Sequence, residues 1–314
     1  MKTTPWLVVG AGAIGMLVTC KLKHLDQTVH LVYRSEKTGN AITLDDQADP
    51  EYPNGKLVDY KIKSFSPDNL TKQYDKVIFC TKAFDLVSAY QQVQEHLTDD
   101  ADICCLCNGM GAQQELAAQI KSTQTLWAGT TSEGALKLSS NKVKHTGKGD
   151  TFFGLWNQQA DKQSFHLEEL GVANIHQRLL EKLAINAVIN PITALFAIQN
   201  GDVLNDEYSP LLKATIKELS DFFTNPKFEY YQHSQHLTQT NMTNRITTVA
   251  KLTHLNRSSM HEDIRLNRPT ENEYISGYLA ATSNHSLPIQ EMLYQAINNP
   301  EQREETKKKL LSIA

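Results

Sequence analysis

The sequence lacks a long hydrophobic run, an excess of one charge and any repeat, and each absence excludes a class of protein. No apolar run approaches the roughly 18 residues of a membrane-spanning helix, so we expect no membrane segment. The 31 Lys and Arg against 35 Asp and Glu leave a formal charge of −4, whereas nucleic-acid-binding proteins normally carry a basic stripe. With 15 Gly and 10 Pro in 314 residues, the composition is neither fibrous nor disordered. A soluble, globular protein of about two domains is therefore predicted.

Cysteine is also scarce. An odd number of thiols in apolar segments predicts buried free cysteines in a reducing cytoplasm, without disulfides. Cys104, Cys105 and Cys107 lie together without the two CxxC pairs that are typical of a zinc site, so we predict no bound metal. The 5 cysteines all lie in the first third of the chain, and they are Cys20, Cys80, Cys104, Cys105 and Cys107.

The first residues superficially resemble a signal peptide, with Met1-Lys2 before the mostly apolar stretch 6–20. Three glycines interrupt that stretch, no small-residue cleavage site follows it, and strand-like residues continue beyond it. We therefore reject a signal peptide and expect a cytoplasmic protein.

Those glycines stand between a strand and a helix. The strand Trp6–Val9 leads into the glycine motif, residues 16–25 have helical spacing, and a second strand is predicted at 28–33. The first glycine permits a tight turn, the second lets the backbone approach a pyrophosphate, and the third allows close helix-to-strand packing. The helix N-terminus supplies N–H donors and a positive dipole to phosphates. The predicted cofactor-binding residues of this motif are Gly10, Ala11, Gly12, Ala13, Ile14 and Gly15.

The end of the second strand indicates which dinucleotide binds. NAD-binding units usually place an acid about 20 residues after the glycines, where it accepts hydrogen bonds from the ribose. Here the chain has Tyr33-Arg34-Ser35, and Arg34 is able to pair with a 2′-phosphate and stack on adenine. We therefore predict NADP. The alternative is that Arg34 is an ordinary surface residue at a strand end, with Glu36 close by.

The rest of the first half alternates strands and helices, which is typical of a parallel, doubly wound Rossmann-type sheet. Ligands of such sheets bind at the carboxyl ends of strands, where Thr81-Lys82 and Asn108-Gly109-Met110-Gly111 lie. From pattern alone, the lysine is equally well a solvated side chain and Asn108-Gly109 a simple turn. Strands are predicted at 76–80, 102–107 and 125–128, helices at 86–97 and 112–120, and an edge hairpin at 142–145 and 151–154.

After Gly171 strand-like runs largely stop and helical periodicity begins. We predict a Rossmann-type domain over residues 1–170 and an all-α domain over residues 171–314. Lys182, Asn186 and Asn190 are spaced i, i+4 and i+8, which places them on one face of an otherwise apolar helix. Buried polar groups need partners, and a polar ligand supplies them. The alternative is a hydrogen-bond network between helices, with Asn190 ending a turn before Pro191.

These motifs together resemble the ketopantoate reductase (2-dehydropantoate 2-reductase) family, almost from end to end. The resemblance implies that NADPH delivers a hydride to the 2-keto carbon of ketopantoate in pantothenate and coenzyme A biosynthesis, with Lys182 as the proton donor. The motifs that carry it are the glycine turn, Arg34, Thr81-Lys82, Asn108-Gly109-Met110-Gly111, Gly129-Thr130-Thr131, Lys182 to Asn186 with Asn190-Pro191, Asn200-Gly201, Ser258-Ser259-Met260, Asp263-Ile264 and Glu271.

The resemblance also implies the remaining site residues. The substrate is expected to contact Lys182, Asn186, Asn190, Asn200, Asn108, Asn256 and Ser259, with Asn186, Asn190, Asn200 and Ser259 around its carboxylate and hydroxyl. Beyond the glycine turn and Arg34, the cofactor is expected to contact Lys82, Asn108, the backbone near Ala135, and Glu271.

Some features leave alternatives open. Glu271 lies in a capping-box pattern and Ser258-Ser259 suits a helix cap. Glu133 and Gln199 depart from the family pattern and affect the expected shape of the pocket. A related dehydrogenase of another 2-oxo or hydroxy acid is the first alternative function, and a non-catalytic NADPH-sensing protein is the second. The sequence leaves the oligomeric state open.

Overall fold

The computed structural model describes residues 4–34, 40–49, 51, 55–156, 174–283 and 286–313. The chain forms two compact units. The first comprises Met1–Cys107 and Ala112–Ile175, and the second comprises Asn108–Gly111 and His176–Ala314. The predicted boundary at residues 170 and 171 lies outside the described residues. The short segment Asn108–Gly111 belongs to the second unit although it follows a strand of the first.

The first unit is built from strands and short helices. Its helices are α1 (Ala13–His24), α2 (Leu86–Val93) and α3 (Ala112–Ala117), with 3₁₀ turns at Pro67–Asn69, Ala83–Asp85 and Gln94–His96. Its strands are β1 (Trp6–Val9), β2 (Val29–Val32), β3 (Ala41–Asp46), β4 (Lys56–Lys61), β5 (Lys63–Phe65), β6 (Tyr74–Phe79), β7 (Leu97–Leu106), β8 (Thr125–Thr131), β9 (Gly134–Lys137), β10 (Lys142–Gly147) and β11 (Thr151–Leu155).

The larger sheet has seven strands in the order β11-β8-β7-β6-β1-β2-β5. All neighbours are parallel except β11, which runs antiparallel to β8. The interior strand β1 pairs on both sides, with Val8 opposite Leu31 and Ile78. Because both faces are covered, β1 and β2 are buried along their whole length, as their continuous apolar runs require. The predicted Rossmann-type sheet is confirmed.

A second sheet was not predicted. It has four strands in the order β4-β3-β10-β9, and β3, β9 and β10 all contact α1. Helix α1 also contacts β1 and β2, so it lies between the two sheets. This position explains why residues 15–20 of α1 are all buried. The buried Cys20 belongs to this core, and burial raises the pKa of its thiol to about 12. All five cysteines are free and buried, as predicted.

The predicted hairpin at residues 142–154 is wrong. Strand β10 pairs with β9 and β3 in the smaller sheet, whereas β11 pairs with β8 in the larger one. The chain crosses between sheets through residues 148–150, where the Ser132 N–H donates to the Asp150 carbonyl at 2.9 Å. Burial of Phe153 in the core favours this crossing over a local turn.

In the described part of the second unit, every regular element is helical, which confirms the predicted helical C-terminal domain. Helix α5 packs against α7 and α10, and α9 packs against α10. The helices are α4 (Ile175–Phe196), α5 (Ser209–Phe223), α6 (Tyr231–Ser234), α7 (Gln239–Leu252), α8 (Ser259–Arg265), α9 (Ser276–Thr282), α10 (Pro288–Asn298) and α11 (Arg303–Leu311), with 3₁₀ turns at Asn200–Leu204, Asn272–Tyr274 and Pro300–Gln302.

Helix α4 is the core helix of this unit. By length and composition it would cross a membrane, but 78% of its most apolar stretch is buried inside the protein. Pro191 lies within α4 and cannot donate to the carbonyl of Ala187. The fully buried Gln290 of α10 donates its Nε2 to that carbonyl at 2.9 Å. The side chain of another helix therefore satisfies the carbonyl that the proline leaves unpaired.

Candidate active site

The predicted glycine turn joins β1 to α1. Gly10 has a φ of +105°, and a Cβ atom on Gly15 would lie 1.8 Å from the carbonyl oxygen of Gly10, so both positions require glycine. Gly12 is the N-cap of α1 and has ordinary extended backbone angles. Among the described residues, nothing lies within 4 Å of where its Cβ would be. The turn is therefore tightly packed at Gly10 and Gly15 and open at Gly12.

The open side of the turn fits a phosphate group. In the described chain no side-chain hydrogen bond caps the start of α1, so its N–H donors and positive dipole are available to an anion on the open side of Gly12. The hydroxyl of Thr81, a residue that packs beside Gly10, is buried and has no hydrogen-bond partner among the described residues. These residues fit the pyrophosphate of a dinucleotide.

The predicted cations of this unit follow β2 and β6, the two strands that flank β1. Arg34 follows β2 with its side chain 85% exposed, and its Nη1 lies 3.6 Å from Oδ2 of Asp85. A loose surface ion pair contributes little free energy, so Arg34 is able to exchange Asp85 for a phosphate at small cost. Lys82 is partly buried and is the N-cap of the 3₁₀ turn that follows β6. Ser35 and Glu36 lie outside the described residues.

Glu133, which departs from the family pattern, is buried and neutralised by its neighbours. It pairs with Lys21 of α1, and it accepts a hydrogen bond from His145 Nε2 at 2.6 Å. His145 Nδ1 lies 2.9 Å from Oδ1 of Asp46. Burial alone would raise the pKa of Glu133, but hydrogen bonds from His145 and Lys21 lower it. The acid therefore ties α1 to the smaller sheet and presents no uncompensated charge to the cofactor.

This cluster predicts a pH-dependent stability. The hydrogen bond to Glu133 raises the pKa of His145 above 6.5. The contribution of His145 to folding stability is therefore complete below pH 6.5, and it is lost as the pH rises through the folded-state pKa. The pKa of Glu133 is lowered, so its contribution to folding stability is complete above pH 4.5 and is lost as the pH falls through the folded-state pKa. His145→Gln should therefore lower the free energy of unfolding by on the order of 1 kcal/mol more at about pH 5.5 than at about pH 8.5, as measured by urea unfolding. The exposed His24→Gln is the control, and an equal cost of His145→Gln at both pH values would contradict the assignment.

Helix α4 carries the predicted stripe of Lys182, Asn186 and Asn190. Lys182 and Asn186 are partly buried and Asn190 is 7% exposed, so the stripe runs inward along one helix face. Within the described chain, the amide side chains of Asn186 and Asn190 form no hydrogen bond. This does not fit a network between helices, and it leaves both amides able to bind a polar ligand.

The acid beside this stripe faces elsewhere. Glu181 is 4% exposed, its carboxylate lies 2.9 Å from Arg245 of α7, and it also contacts His236. Burial would raise the pKa of Glu181, but the hydrogen bond from Gln177 and the charge of Arg245 lower it. Adjacent helix residues point about 100° apart, so Glu181 is directed away from the Lys182 face.

The segment after α4 brings further predicted residues together. The Asn200 backbone N–H donates to the Asn256 carbonyl at 2.9 Å. Asn200 is 8% exposed and its Nδ2 donates to Thr253 Oγ1 at 3.0 Å, while its Oδ1 is buried without a hydrogen-bond partner among the described residues. Leaving such an acceptor unpaired costs about 1–3 kcal/mol, so Asn200 needs a donor from a ligand or solvent.

The two serines before α8 differ. Ser258 is the buried N-cap and accepts a hydrogen bond from the His261 N–H at 3.1 Å. Its Oγ also lies 2.8 Å from Thr193 Oγ1, which ties α8 to α4 near Asn190. Ser259 is exposed. The helix-cap alternative therefore holds for Ser258, whereas Ser259 remains a candidate for substrate binding.

Asn108 and Glu271 meet within the second unit. Asn108 Nδ2 donates to Oε2 of Glu271 at 2.9 Å, and Glu271 is 4% exposed. Gly109 has a φ of +81°, and its Cβ would lie 2.1 Å from the Tyr274 carbonyl, so the turn requires glycine. Glu271 precedes the 3₁₀ turn Asn272–Tyr274 as its N-cap, and no cap hydrogen bond from its side chain is found there. The carboxylate instead orients the Asn108 amide.

Comparison with known proteins identifies the family. A family model described as ketopantoate reductase PanE/ApbA matches residues 6–158, and the model of its C-terminal part matches residues 174–301. The chain belongs to the ketopantoate reductase family. Members of this family are oxidoreductases, and the motifs that carried the sequence resemblance lie within the two matched regions.

Named relatives cover nearly the whole length of this ketopantoate reductase family member. It is 29% identical to the 2-dehydropantoate 2-reductase of Vibrio cholerae over 94% of this chain and 97% of that protein. The structure is similar to D-mandelate dehydrogenase with NADH and anilino(oxo)acetate, at 18% identity and a TM-score of 0.77 over 97% and 99% of the chains. A dimeric ketopantoate reductase from Staphylococcus aureus has 19% identity and a TM-score of 0.73 over 96% and 99%. These two likenesses show the shared fold.

Sequence reasoning missed two contributors to this family member's site. Lys137 of β9 reaches the glycine turn, and the His145 cluster neutralises Glu133. The Glu133 departure was visible as an unexpected acid, but its side-chain partners Lys21 and His145 come from two other elements, α1 and β10. The alternation of Ile42 and Leu44 was the available signal for the smaller sheet that carries Lys137.

Proposed function

We propose that this protein is an NADPH-dependent 2-dehydropantoate 2-reductase that forms pantoate in cytoplasmic pantothenate and coenzyme A biosynthesis. The observation that supports the proposal most is the α4 face with Lys182, Asn186 and Asn190 on an otherwise buried helix. Membership of the ketopantoate reductase family and the similarity to the Vibrio cholerae enzyme support the same substrate. The open glycine turn supports a dinucleotide cofactor, and Arg34 supports NADP over NAD.

When bound, NADPH supplies a hydride to the 2-keto carbon, and the substrate oxygen takes up one proton to become the hydroxyl of pantoate. Lys182 Nζ is the proposed donor of that proton. Its ammonium charge stabilises negative charge developing on the oxygen and then provides the N–H proton. The neutral amides of Asn186 and Asn190 orient the substrate carboxylate without neutralising Lys182.

Asn200 is proposed to recognise the substrate hydroxyl. Its Nδ2 already donates to Thr253, and its buried Oδ1 lacks a donor within the described structure. An acceptor suits a hydroxyl group and repels a carboxylate. Asn200 is therefore proposed to accept a hydrogen bond from the hydroxyl, whereas Asn186 and Asn190 are proposed to donate hydrogen bonds to the carboxylate.

The proposal is tested with substrates that differ in one group. With NADPH, ketopantoate should be reduced with a kcat/KM roughly 10- to 100-fold above 3,3-dimethyl-2-oxobutanoate, which lacks only the hydroxyl, because the analogue leaves Asn200 Oδ1 unpaired. NADH should be a poorer cofactor than NADPH in the same assay. Phenylglyoxylate is the third substrate, and its reduction in preference to ketopantoate would support the alternative of a different 2-oxo acid reductase. NADPH binding without turnover of any of the three would support the sensing alternative.

A further inference from the structure

Lys137 connects the glycine turn to the end of β2. Its Nζ donates to the Ala11 carbonyl oxygen at 2.7 Å and lies 6.0 Å from the centroid of the Tyr33 ring. Ala11 is the second residue of the glycine turn, whereas Tyr33 directly follows β2 and precedes Arg34. One ammonium group is therefore close to the turn that suits a pyrophosphate and to the strand end that suits the adenosine ribose of a dinucleotide.

The strand that carries Lys137 already faces this region. Ala135 and Lys137 are two residues apart on β9 and so point to the same side of the strand. Ala135 packs against the core cluster that contains Ala11 and Tyr33. The face of β9 that includes Lys137 is therefore directed at the turn and at the end of β2.

The charges nearby call for a second cation. A phosphate monoester carries about −1.5 to −2 charges at neutral pH. Asp85 lies beside Arg34, with the closest atoms 3.6 Å apart, so its carboxylate offsets part of the positive charge that Arg34 offers to a phosphate. Glu133, the acid that precedes β9, is neutralised by Lys21 and His145 and does not compete.

We propose that Lys137 binds the adenosine 2′-phosphate of NADP together with Arg34 and is a determinant of the preference for NADP over NAD. A hydrogen bond from the ammonium to a phosphate oxygen joins two opposite charges, so it is stronger than the hydrogen bond to the neutral Ala11 carbonyl. The inference rests on the proposed use of NADP and adds a residue that the glycine motif and Arg34 do not reveal.

The test measures cofactor binding without turnover. Isothermal titration calorimetry with NADP⁺ and NAD⁺, which differ only in the 2′-phosphate, is applied to the wild-type protein, Lys137→Ala and Lys137→Arg. Lys137→Ala should weaken NADP⁺ binding about tenfold and NAD⁺ binding less than about twofold, since only NADP⁺ loses a charge-assisted contact. Lys137→Arg keeps the charge and should restore most of the preference. Lys148→Ala, at an exposed lysine of the same unit, is the matched control and should change neither affinity.

The outcomes separate this inference from the proposed function. Equal weakening of both cofactors would place Lys137 on the pyrophosphate or on the turn itself and overturn the assignment. A wild-type preference for NADP⁺ that survives Lys137→Ala would overturn the inference alone. A wild-type protein that binds both cofactors equally would contradict the proposed use of NADP and the role of Lys137 with it. Thermal unfolding of each variant shows whether loss of the Ala11 contact has disturbed the fold.

Discussion

Lys182→Ala is expected to lower kcat for ketopantoate by roughly 10²- to 10⁴-fold, the usual contribution of a positioned general acid. Binding of NADP⁺ should stay within about twofold of wild type, because Lys182 is proposed to act on the substrate and is not among the residues expected to contact the cofactor. Steady-state kinetics and calorimetry measure the two effects separately. A variant that keeps near wild-type kcat would remove Lys182 from the proposed chemistry.

Three further measurements sharpen this result. Lys213→Ala removes an exposed lysine from α5 of the same unit and should leave kcat unchanged. Added methylammonium should restore part of the activity of Lys182→Ala if the missing group is a proton-donating ammonium, because the removed side chain leaves room for it. Asn186→Ala should mainly raise KM, since its amide is proposed to orient substrate and not to transfer a proton. A Lys182→Ala variant that loses substrate affinity but no kcat would indicate a binding role instead.

Local patterns were predictable because their cause is local. The turn Gly10 to Gly15 follows from the chain geometry between one strand and one helix, and the Lys182 stripe follows from helical periodicity. The same stripe lies on a helix with an interior proline, and Gln290 of α10 donates to the Ala187 carbonyl that the proline leaves unpaired. That partner lies 103 residues away in sequence, so no local pattern could have predicted it.

The smaller sheet shows most clearly which part of the fold local sequence patterns do not predict. Ile42 and Leu44 alternate with polar residues, but β3 pairs with β10, so Thr43 lies opposite Lys142. Pairing over such a separation depends on tertiary packing against α1, and the local turn signal near Gly147 favoured the wrong hairpin instead. The contact of Lys137 with the glycine turn depends on this same sheet. The residue proposed to discriminate the cofactors was therefore not accessible to motif reasoning.

Gly15→Ala is expected to destabilise the first unit by about 3 kcal/mol, because the new methyl group would lie 1.8 Å from the Gly10 carbonyl oxygen and 3.1 Å from Cys80 Cβ. The clashing atom is backbone, so relief requires α1 to move away from β1. Urea unfolding should show the loss directly. Because α1 is packed between two sheets, the shift is expected to lower the midpoint of the whole unit.

Gly12→Ala is the matched variant, and it should weaken cofactor binding while leaving the stability of the fold nearly unchanged. Its Cβ meets no described atom within 4 Å and its φ of −76° suits alanine, so the free energy of unfolding should change by less than about 0.5 kcal/mol. NADP⁺ affinity should nevertheless fall by roughly tenfold or more, since the methyl group occupies the side from which the pyrophosphate approaches the backbone. If Gly12→Ala binds NADP⁺ as wild type does, the cofactor does not lie over the open side of this turn. The pair thus separates the packing role of one glycine from the binding role of the other within a single motif.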